Sequence, residues 1–340
     1  MMPRKLQWLA ALLFVQLLPG CSKDPVSTGR EEVDRSRIGY ILEDNFNFTV
    51  CNKLLVYSGQ TMVLKENTAS TFLAPDNNAF LTLGLVLSNF PSPQYGKDWC
   101  TAMAIYGTLP GPHPFRVMPL GDNQPILSGS GHKIYVSRYL QGTDTVTRVN
   151  GAEVSQVDVK AANGYLQVLT QVMQPESVSN IPDFLLGDTT LTLFALAIQR
   201  SGLMPLLQTG EYTVIAPVNK AMRLYGAIKP GLNLTTPDSI IAANPAELMA
   251  LIRYHLLPGK SFLDRVHRQA DTSVNRSLTT LNGEKIMIGG DVQTYNSTTF
   301  SGNNNSTPAR IYRLNGEYFN HANFPAGNGV VHHIDNILLP

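Results

Sequence analysis

The last thirteen residues of the chain, Asn328–Pro340, contain an alternating run that ends in Ile337, Leu338 and Leu339 before a terminal proline. An Asn-Gly pair opens this stretch, and Asn-Gly is a strong turn signal. In an extended strand, every second side chain lies on the same face. The alternation therefore predicts a strand that enters a hydrophobic core and completes the fold. Its two faces carry Val330, His332 and Ile334 on one side, and Val331, His333 and Asp335 on the other.

The same pattern occurs once before, in Asn163–Pro175, at a spacing of 165 residues. Both stretches begin with Asn-Gly, alternate in a similar way and close with proline. A repeat of this length contains a whole domain, unlike the short units of a solenoid. The sequence therefore predicts two copies of one domain, and its 340 residues are enough for two domains of ordinary size.

Four further pairs of segments align between the two copies, at spacings of 142 to 165 residues. The first pair predicts helices that stop at Ser-Gly, and the second predicts a short strand, broken by proline, that leads into a helix. Because helices come first and strands later in each copy, the predicted fold class is α+β. The aligned pairs are Phe48–Gly59 with Leu191–Gly202, Thr71–Phe80 with Thr213–Met222, Tyr106–Gly111 with Tyr254–Gly259, and Arg148–Gly151 with Arg313–Gly316.

The best-defined helix is predicted over Pro245–Leu257. Asn244 is a good N-cap, proline suits the first helical position, and Glu247 completes a capping-box pattern. His255 lies on the apolar face of this helix. Further along, the Asn-rich segment Thr294–Thr307 is typical of a loop inserted into the second copy.

The N-terminal residues predict an export signal. Arg4 and Lys5 precede the apolar run Leu6–Leu18, which is too short to span a bilayer and has the length of a signal-peptide core. The following Leu-Pro-Gly-Cys resembles a bacterial lipobox, although Pro19 departs from the residue usual at that place. We predict that Cys21 is lipidated. The alternative is an ordinary cleaved signal peptide followed by a chance cysteine.

These signals divide the chain into four segments. A lipoprotein signal peptide covers residues 1–20, a polar tether covers 21–37, and the two domains cover 38–176 and 177–340. The formal net charge of +1 gives no electrostatic argument for a nucleic-acid partner. No segment after the signal peptide is apolar enough to be predicted as a membrane span.

Two further cysteines, Cys51 and Cys100, lie in the first copy. They align with Phe194 and Leu248 of the second copy, on core-facing stripes of predicted helices. We therefore predict that both are buried. Two free thiols are the favoured interpretation, and a disulfide between two helices in an oxidising compartment is the alternative.

Three motifs of the second copy resemble those of fasciclin domains and occur in the order typical of that family. They are Ala-Pro-Val-Asn-Lys-Ala at Ala216–Ala221, Tyr-His-Leu-Leu-Pro-Gly at Tyr254–Gly259, and Asn-Gly-Val-Val-His-His-Ile-Asp at Asn328–Asp335. The first copy keeps the first motif at Ala74–Ala79 but is degenerate later. There, Gly107 replaces the first histidine, Gln167 the second, and Thr170 the aspartate.

This resemblance implies two tandem fasciclin-like domains, each a β-sandwich or wedge with several surrounding helices. It also implies a role in adhesion and binding, with no cofactor and no established catalysis. Asn219, His332 and Asp335 are then residues of the structural motif. The family suggests an adhesion surface at Tyr254 and His255, whereas the helical spacing favours a core position for His255.

The last strand also allows two hypotheses about reactive chemistry. His333 and Asp335 share a face, but two ligands are too few for a metal site and no HExxH or paired CxxC pattern adds more. His332 and Asp335 are two-thirds of a catalytic triad, but no Gly-x-Ser-x-Gly element marks a serine. We expect no metal, no catalysis, a buried hydrogen-bonded His332 and a surface His333.

Aromatic residues are frequent late in the second copy. Tyr295 and Phe300 lie among Asn, Ser and Thr, so we predict that they are exposed and contribute to a ligand-binding surface. Tyr312 is instead predicted to pack inward from a strand.

The combined expectation is a non-catalytic adhesion or binding module that recognises proteins or polysaccharides. A lipid anchor at Cys21 would hold it to a bacterial outer membrane, facing either the periplasm or the cell exterior. Two alternatives remain. One is an accessory glycan-binding lipoprotein of an outer-membrane polysaccharide capture system, and the other is a His/Asp-dependent hydrolase.

Overall fold

A computed structural model describes residues 33–291, 294–313 and 321–340, without the side chains of residues 294–296. The predicted signal peptide, the lipidation site Cys21 and most of the tether lie outside the described residues. Within the described ranges, no helix combines the length and the apolar character that a membrane span requires.

The first copy places helices before strands, apart from one early strand. Its α-helices are α1 (Ile38–Asp44), α2 (Thr49–Ser58), α3 (Thr61–Lys65), α4 (Asn77–Leu81) and α5 (Lys97–Gly107), with 3-10 turns at Phe46–Phe48 and Phe115–Val117. Its strands are β1 (Ser70–Pro75), β2 (Thr108–Pro110), β3 (Gly121–Leu127), β4 (Lys133–Gln141), β5 (Asp144–Val149), β6 (Ala152–Ala161) and β7 (Gly164–Leu169). They form one sheet in the order β2-β1-β7-β6-β5-β4-β3.

The second copy repeats this plan with additional short elements. Its α-helices are α6 (Ile181–Gly187), α7 (Thr192–Arg200), α8 (Met204–Thr209), α9 (Asn219–Tyr225), α10 (Pro237–Ala242), α11 (Pro245–Tyr254) and α12 (Leu263–Asp271), with a 3-10 turn at Val274–Arg276. Its strands are β8 (Tyr212–Pro217), β9 (Ala227–Lys229), β10 (Leu232–Asn233), β11 (Leu256–Pro258), β12 (Ser277–Thr279), β13 (Lys285–Asp291), β14 (Thr294–Ser301), β15 (Ala309–Arg310), β16 (Phe324–Pro325) and β17 (Gly329–Ile334).

The strands of the second copy form two four-stranded sheets and one small pair. One sheet has the order β11-β8-β17-β16 and the other β12-β13-β14-β15, while β9 pairs with β10. A bridge between Ile311 and Ile334 joins the two larger sheets. The helix-then-strand order and the mixed sheets confirm the predicted α+β class.

A parallel strand pair lies at the centre of each copy. Strand β7 runs parallel to β1 in the first copy, and β17 runs parallel to β8 in the second. The glycine of each Asn-Gly pair permits this approach. A Cβ atom on Gly164 would collide with the carbonyl oxygen of Ser70, and one on Gly329 with that of Tyr212.

The asparagine of each Asn-Gly pair fastens the start of its copy to this central strand. The Asn163 side-chain oxygen accepts the amide N–H of Ile38 at 2.9 Å, and Asn328 accepts that of Ile181 at 2.9 Å. These equivalent bonds explain why the turn signal recurs at a spacing of 165 residues.

Helix α11 is shorter than predicted. It begins after Asn244, whose side chain accepts the N–H groups of Ala246 and Glu247, but it ends at Tyr254. Residues Leu256–Pro258 leave the helix and pair with β8 as an antiparallel edge strand. The Glu247 carboxylate bonds to Lys229 and does not complete a capping box.

The predicted inserted loop at Thr294–Thr307 is largely a strand. Residues Thr294–Ser301 form β14, which pairs with β13 and β15. Along this strand Thr298 and Phe300 face the core and alternate with the more exposed Ser297 and Thr299, while the asparagine run that suggested a loop follows the strand.

The two cysteines of the first copy are buried, as predicted. Cys51 lies in α2 and Cys100 in α5, and both are free thiols in one hydrophobic cluster. Their second-copy counterparts, Phe194 and Leu248, are buried in the equivalent core. Burial raises the pKa of Cys51 to about 12 and that of Cys100 to about 11, which keeps both thiols protonated.

The two copies share an interface with a small apolar centre. Tyr135 of the first copy packs against Phe262 and Val330 of the second. The Glu176 carboxylate accepts the Tyr135 hydroxyl at 2.6 Å and the backbone N–H of Gly327 at 3.1 Å. The linker between the copies is therefore part of the interface, because Glu176 is buried.

Charged residues surround this apolar centre. The Lys260 ammonium donates to the Gly327 carbonyl at 2.5 Å and lies 3.7 Å from the centre of the Tyr135 ring. Asp122 of the first copy pairs with Arg268 of the second. Burial lowers the pKa of Lys260 to about 8. Residues Arg35–Pro340 accordingly form one compact unit.

Candidate binding site

Asn219 ties the start of helix α9 to the start of helix α7. Its side-chain oxygen accepts the N–H of Leu193 at 2.9 Å, and its amide group donates to the Thr189 carbonyl at 2.9 Å. In the first copy, Asn77 accepts the N–H of Val50 at 3.1 Å in the equivalent place. Asn219 thus supports the fold, and its polar atoms are occupied.

Tyr254 and His255 are in the core, where they do not form the exposed adhesion surface that the family resemblance suggested. The Tyr254 hydroxyl donates to the Lys285 carbonyl at 2.7 Å. His255 bonds through Nδ1 to the Leu251 carbonyl at 2.9 Å, and its Nε2 accepts the N–H of Leu338 at 3.0 Å. Both side chains are at most 1% exposed, which agrees with the core position that the helical spacing favoured for His255.

His332 is buried and uses both ring nitrogens. Its Nδ1 accepts the N–H of Asn323 at 3.1 Å, so Nε2 carries the proton and donates to the Ser261 carbonyl at 3.0 Å. Burial lowers the pKa of His332 to about 4, and the ring is neutral at pH 7. Both nitrogens are therefore engaged by the fold, and neither is available to Asp335.

Gln167 makes the same two bonds in the first copy. Its side-chain oxygen accepts the N–H of Asp158 at 2.8 Å, and its amide group donates to the His113 carbonyl at 3.2 Å. These partners are equivalent to Asn323 and Ser261 of the second copy. The motif is thus not lost at this position in function. Gln167 replaces the histidine with another side chain that accepts one hydrogen bond and donates one.

His333 is buried, and its predicted surface position is wrong. Strand β17 is enclosed on all sides. Strands β8 and β16 pair with its two edges, and hydrophobic clusters cover its two faces. The His333 ring stacks on Phe324 with centroids 4.8 Å apart, and Nε2 lies 3.3 Å from the Asp188 carboxylate. Burial lowers the pKa of His333 and favours the neutral ring.

Asp335 follows the end of β17 and is exposed. Its carboxylate accepts the backbone N–H of Arg310 at 2.7 Å. This bond ties the last strand to β15, which is a structural role. The described part of the chain contains no group of three His, Cys, Asp or Glu residues arranged to hold a metal ion.

The aromatic residues differ from the expectation in one case. Phe300 is 0% exposed and packs in the core of the β12–β15 sheet, so its predicted surface position is wrong. Tyr312 is buried as predicted. The Tyr295 side chain lies outside the described side chains.

A cleft of about 590 Å³ lies between helix α9 and the outer face of strands β14 and β15. Ser297 and Thr299 line it from β14, and Arg310 lines it from β15. Lys220 and Tyr225 line it from α9. Exposed polar side chains from distant segments converge in this cleft.

Two of the basic residues in the cleft were not found by the sequence analysis. Lys220 occupies a variable position inside the Ala216–Ala221 motif, and Arg310 follows the segment that was predicted as a loop. No periodic pattern marks either residue, because both are exposed and belong to elements far apart in the sequence. Only the packing of α9 beside β15 brings them together.

Comparison with known proteins gives one family over most of the chain. The fasciclin domain model matches residues 46–175 and 189–340. The transforming growth factor-beta-induced protein ig-h3 of Sus scrofa is 27% identical over 210 residues, and that of Oryctolagus cuniculus is 25% identical over 211. These matches cover 61% of this chain but only 26% of either relative.

Two further proteins are similar to this chain over different portions of its length. Protein sll1483 of Synechocystis sp. is 25% identical over 166 residues, which are 48% of this chain and 76% of that protein. A solved FAS1 domain pair from the insect cell adhesion molecule fasciclin I aligns with a TM-score of 0.40 and 16% identity, over 89% of this chain and 96% of that one.

Proposed function

Because the chain belongs to the fasciclin domain family, we propose that it is an adhesion module that binds a protein or polysaccharide ligand without catalysing a reaction. The observation that carries this proposal is that the motif residues serve to hold the fold together. Asn219, Tyr254, His255 and His332 are fully engaged in bonds that hold the fold together. Ligand binding is therefore a task for other residues, on the exposed surface.

The geometry does not favour the His/Asp-dependent hydrolase. A general base needs a free nitrogen within hydrogen-bond reach of the proton that it removes. The two nitrogens of His332 bond to backbone groups of Asn323 and Ser261, and the ring is buried. Asp335, the other member of the hypothetical pair, bonds to the backbone of Arg310.

We also propose that the domain pair is held at an outer membrane by a lipid on Cys21. The support is the position of this cysteine directly after an apolar run of signal-peptide length. A tether would then place the compact unit Arg35–Pro340 beside the membrane. The second candidate, an accessory module for glycan capture, is favoured by the polar cleft between α9 and β15.

The test is adhesion of coated beads. Beads carrying the chain by its N-terminal end are applied to arrays of matrix proteins and polysaccharides, with beads carrying an unrelated protein as the control. We expect saturable adhesion to one ligand class and no release of fragments from the arrayed polymers. Adhesion no stronger than that of the control beads, or steady release of fragments, would contradict the proposal.

A further inference from the structure

The cleft between α9 and the β14–β15 strands has the size of a ligand site. Its volume of about 590 Å³ lies within the range of roughly 300–1,000 Å³ that small-ligand pockets occupy. Its base is formed by the buried residues Val218, Ile311 and Tyr312. A stable base below exposed polar walls is the arrangement expected of a preformed recognition site.

The charge of the cleft is predominantly positive. Lys220, Arg310 and Arg313 line it, with Asp335 as the acidic residue among the described lining. The Asp335 carboxylate already accepts the backbone N–H of Arg310. Within the described residues, the side chains of Lys220 and Arg310 form no ion pair. Both are therefore able to bind an external anion, and a guanidinium group suits a carboxylate because it can donate two parallel hydrogen bonds.

Hydroxyl and aromatic groups complete the walls. Ser297 and Thr299 lie on the side of β14 that faces helix α9 across the cleft, and the Ser297 hydroxyl also accepts the N–H of Asp291 at 2.9 Å. Tyr225 and Leu224, which are 49% and 63% exposed, stand at the end of α9. Hydroxyl groups pair with sugar hydroxyls, and the flat face of an aromatic ring packs against the apolar face of a sugar ring.

The backbone of the cleft favours a saccharide over a peptide. An extended peptide usually binds by adding a strand to an exposed sheet edge. The edge strand here, β15, has only two residues, and the N–H of Arg310 already bonds to Asp335. The cleft therefore offers side chains and little unpaired backbone, which suits a ligand recognised through hydroxyl and carboxylate groups.

We infer that this cleft binds an acidic saccharide, with Lys220 and Arg310 holding its carboxylates and Ser297, Thr299 and Tyr225 contacting its sugar rings. This inference deepens the proposed function and rests on it, because it assigns the ligand class and the place of binding. The site lies in the second domain, beside Asp335 at the end of β17.

Isothermal titration calorimetry of the intact chain tests this inference. The probe is a galacturonate tetrasaccharide, and its fully methyl-esterified form is the uncharged control. We expect the acid form to bind at least about tenfold more tightly, because hydrogen bonds to charged groups are stronger than neutral ones. Equal affinity for the two forms, or tighter binding of a tetra-aspartate peptide, would overturn the assignment.

Matched variants locate the site. Lys220→Gln and Arg310→Gln should each weaken binding of the acid form about tenfold. Arg223→Gln removes the same charge from an exposed position of the same helix that does not line the cleft, and it should change the affinity less than about twofold. If Arg223→Gln weakens binding as much as Lys220→Gln does, the attraction is nonspecific and the site is refuted.

The bead assay separates this inference from the proposed function. Loss of adhesion in Lys220→Gln and Arg310→Gln beads, with normal adhesion by Arg223→Gln beads, supports both. Unchanged adhesion by all three variants overturns the cleft and leaves the adhesion module standing. Failure of the unmodified chain to adhere to any surface rejects the proposed function itself.

Discussion

Replacing His332 with glutamine should have opposite effects on stability at neutral and at acidic pH. At pH 7.5 the neutral ring of His332 accepts one N–H and donates one proton, and Gln167 performs the same two tasks in the first copy. The variant should therefore lose no more than about 1 kcal/mol of unfolding free energy. His332→Ala, which leaves Asn323 and Ser261 without their partner and opens a cavity, should lose about 3 kcal/mol or more.

At acidic pH the sign reverses. The pKa of His332 falls from 6.5 to about 4 on folding, so the unfolded chain binds a proton more readily than the folded one. The folded state has its full stability above pH 6.5, the pKa of His332 in the unfolded chain. It loses stability as the pH falls from 6.5 towards 4. At pH 5 the loss amounts to about 2 kcal/mol, which glutamine avoids because it does not titrate. His332→Gln should then be about 1 kcal/mol more stable than the unmodified chain.

Urea unfolding at pH 7.5 and pH 5.0, followed by circular dichroism, measures these differences. His255, His267 and His321 also have lowered pKa values, and their effects cancel because these residues are present in both proteins. The pKa of His333 is lowered mainly by burial, and the neighbouring His332 is the smallest of its causes. A stability difference between His332→Gln and the unmodified chain that is the same at both pH values would refute the titration argument. A glutamine variant as unstable as His332→Ala at pH 7.5 would refute the equivalence with Gln167.

Two further predictions concern the interface between the two copies and the N-terminal anchor. Glu176→Ala should leave the backbone N–H groups of Lys133 and Gly327 without their acceptor, while the Tyr135 hydroxyl keeps the Gly327 carbonyl. The loss should cost about 3 kcal/mol, and calorimetry should show one unfolding transition dividing into two. A single transition at an unchanged temperature would show that Glu176 does not couple the domains. Cys21→Ala should move the chain from the membrane fraction to the released fraction. Mass spectrometry of the protein without this substitution should find a lipid at Cys21. A mature N-terminus elsewhere, without lipid, would contradict the anchor.

The duplicated framework was predictable from the sequence because each repeated motif residue performs a backbone task in both copies. Asn163 and Asn328 accept equivalent N–H groups, and Gly164 and Gly329 permit equivalent strand contacts. The spacing of 165 residues between the Asn-Gly pairs was therefore a direct consequence of the repeated fold. The α+β class followed from the order of the patterns in each copy.

Other features were not predictable because they depend on neighbours remote in sequence. The apolar periodicity of α11 continues through Leu256 and Leu257, yet β8 recruits these residues as a strand. Alternation along β17 suggested one buried face, but a sheet neighbour on each side and cores on both faces also bury His333. The cleft arises only when the fold brings Lys220 to the same surface as Arg310, ninety residues further along the chain.

The central position of β7 and β17 has a consequence for folding during synthesis. Each strand lies between two others in its sheet, yet each is among the last elements of its domain to leave the ribosome. Neither domain can close before that strand emerges, and the first domain reaches this point about 165 residues before the second. The first domain is thus complete while the second is still being made. Tyr135 and Glu176, which contact the second domain in the finished protein, then form a ready surface on which that domain assembles.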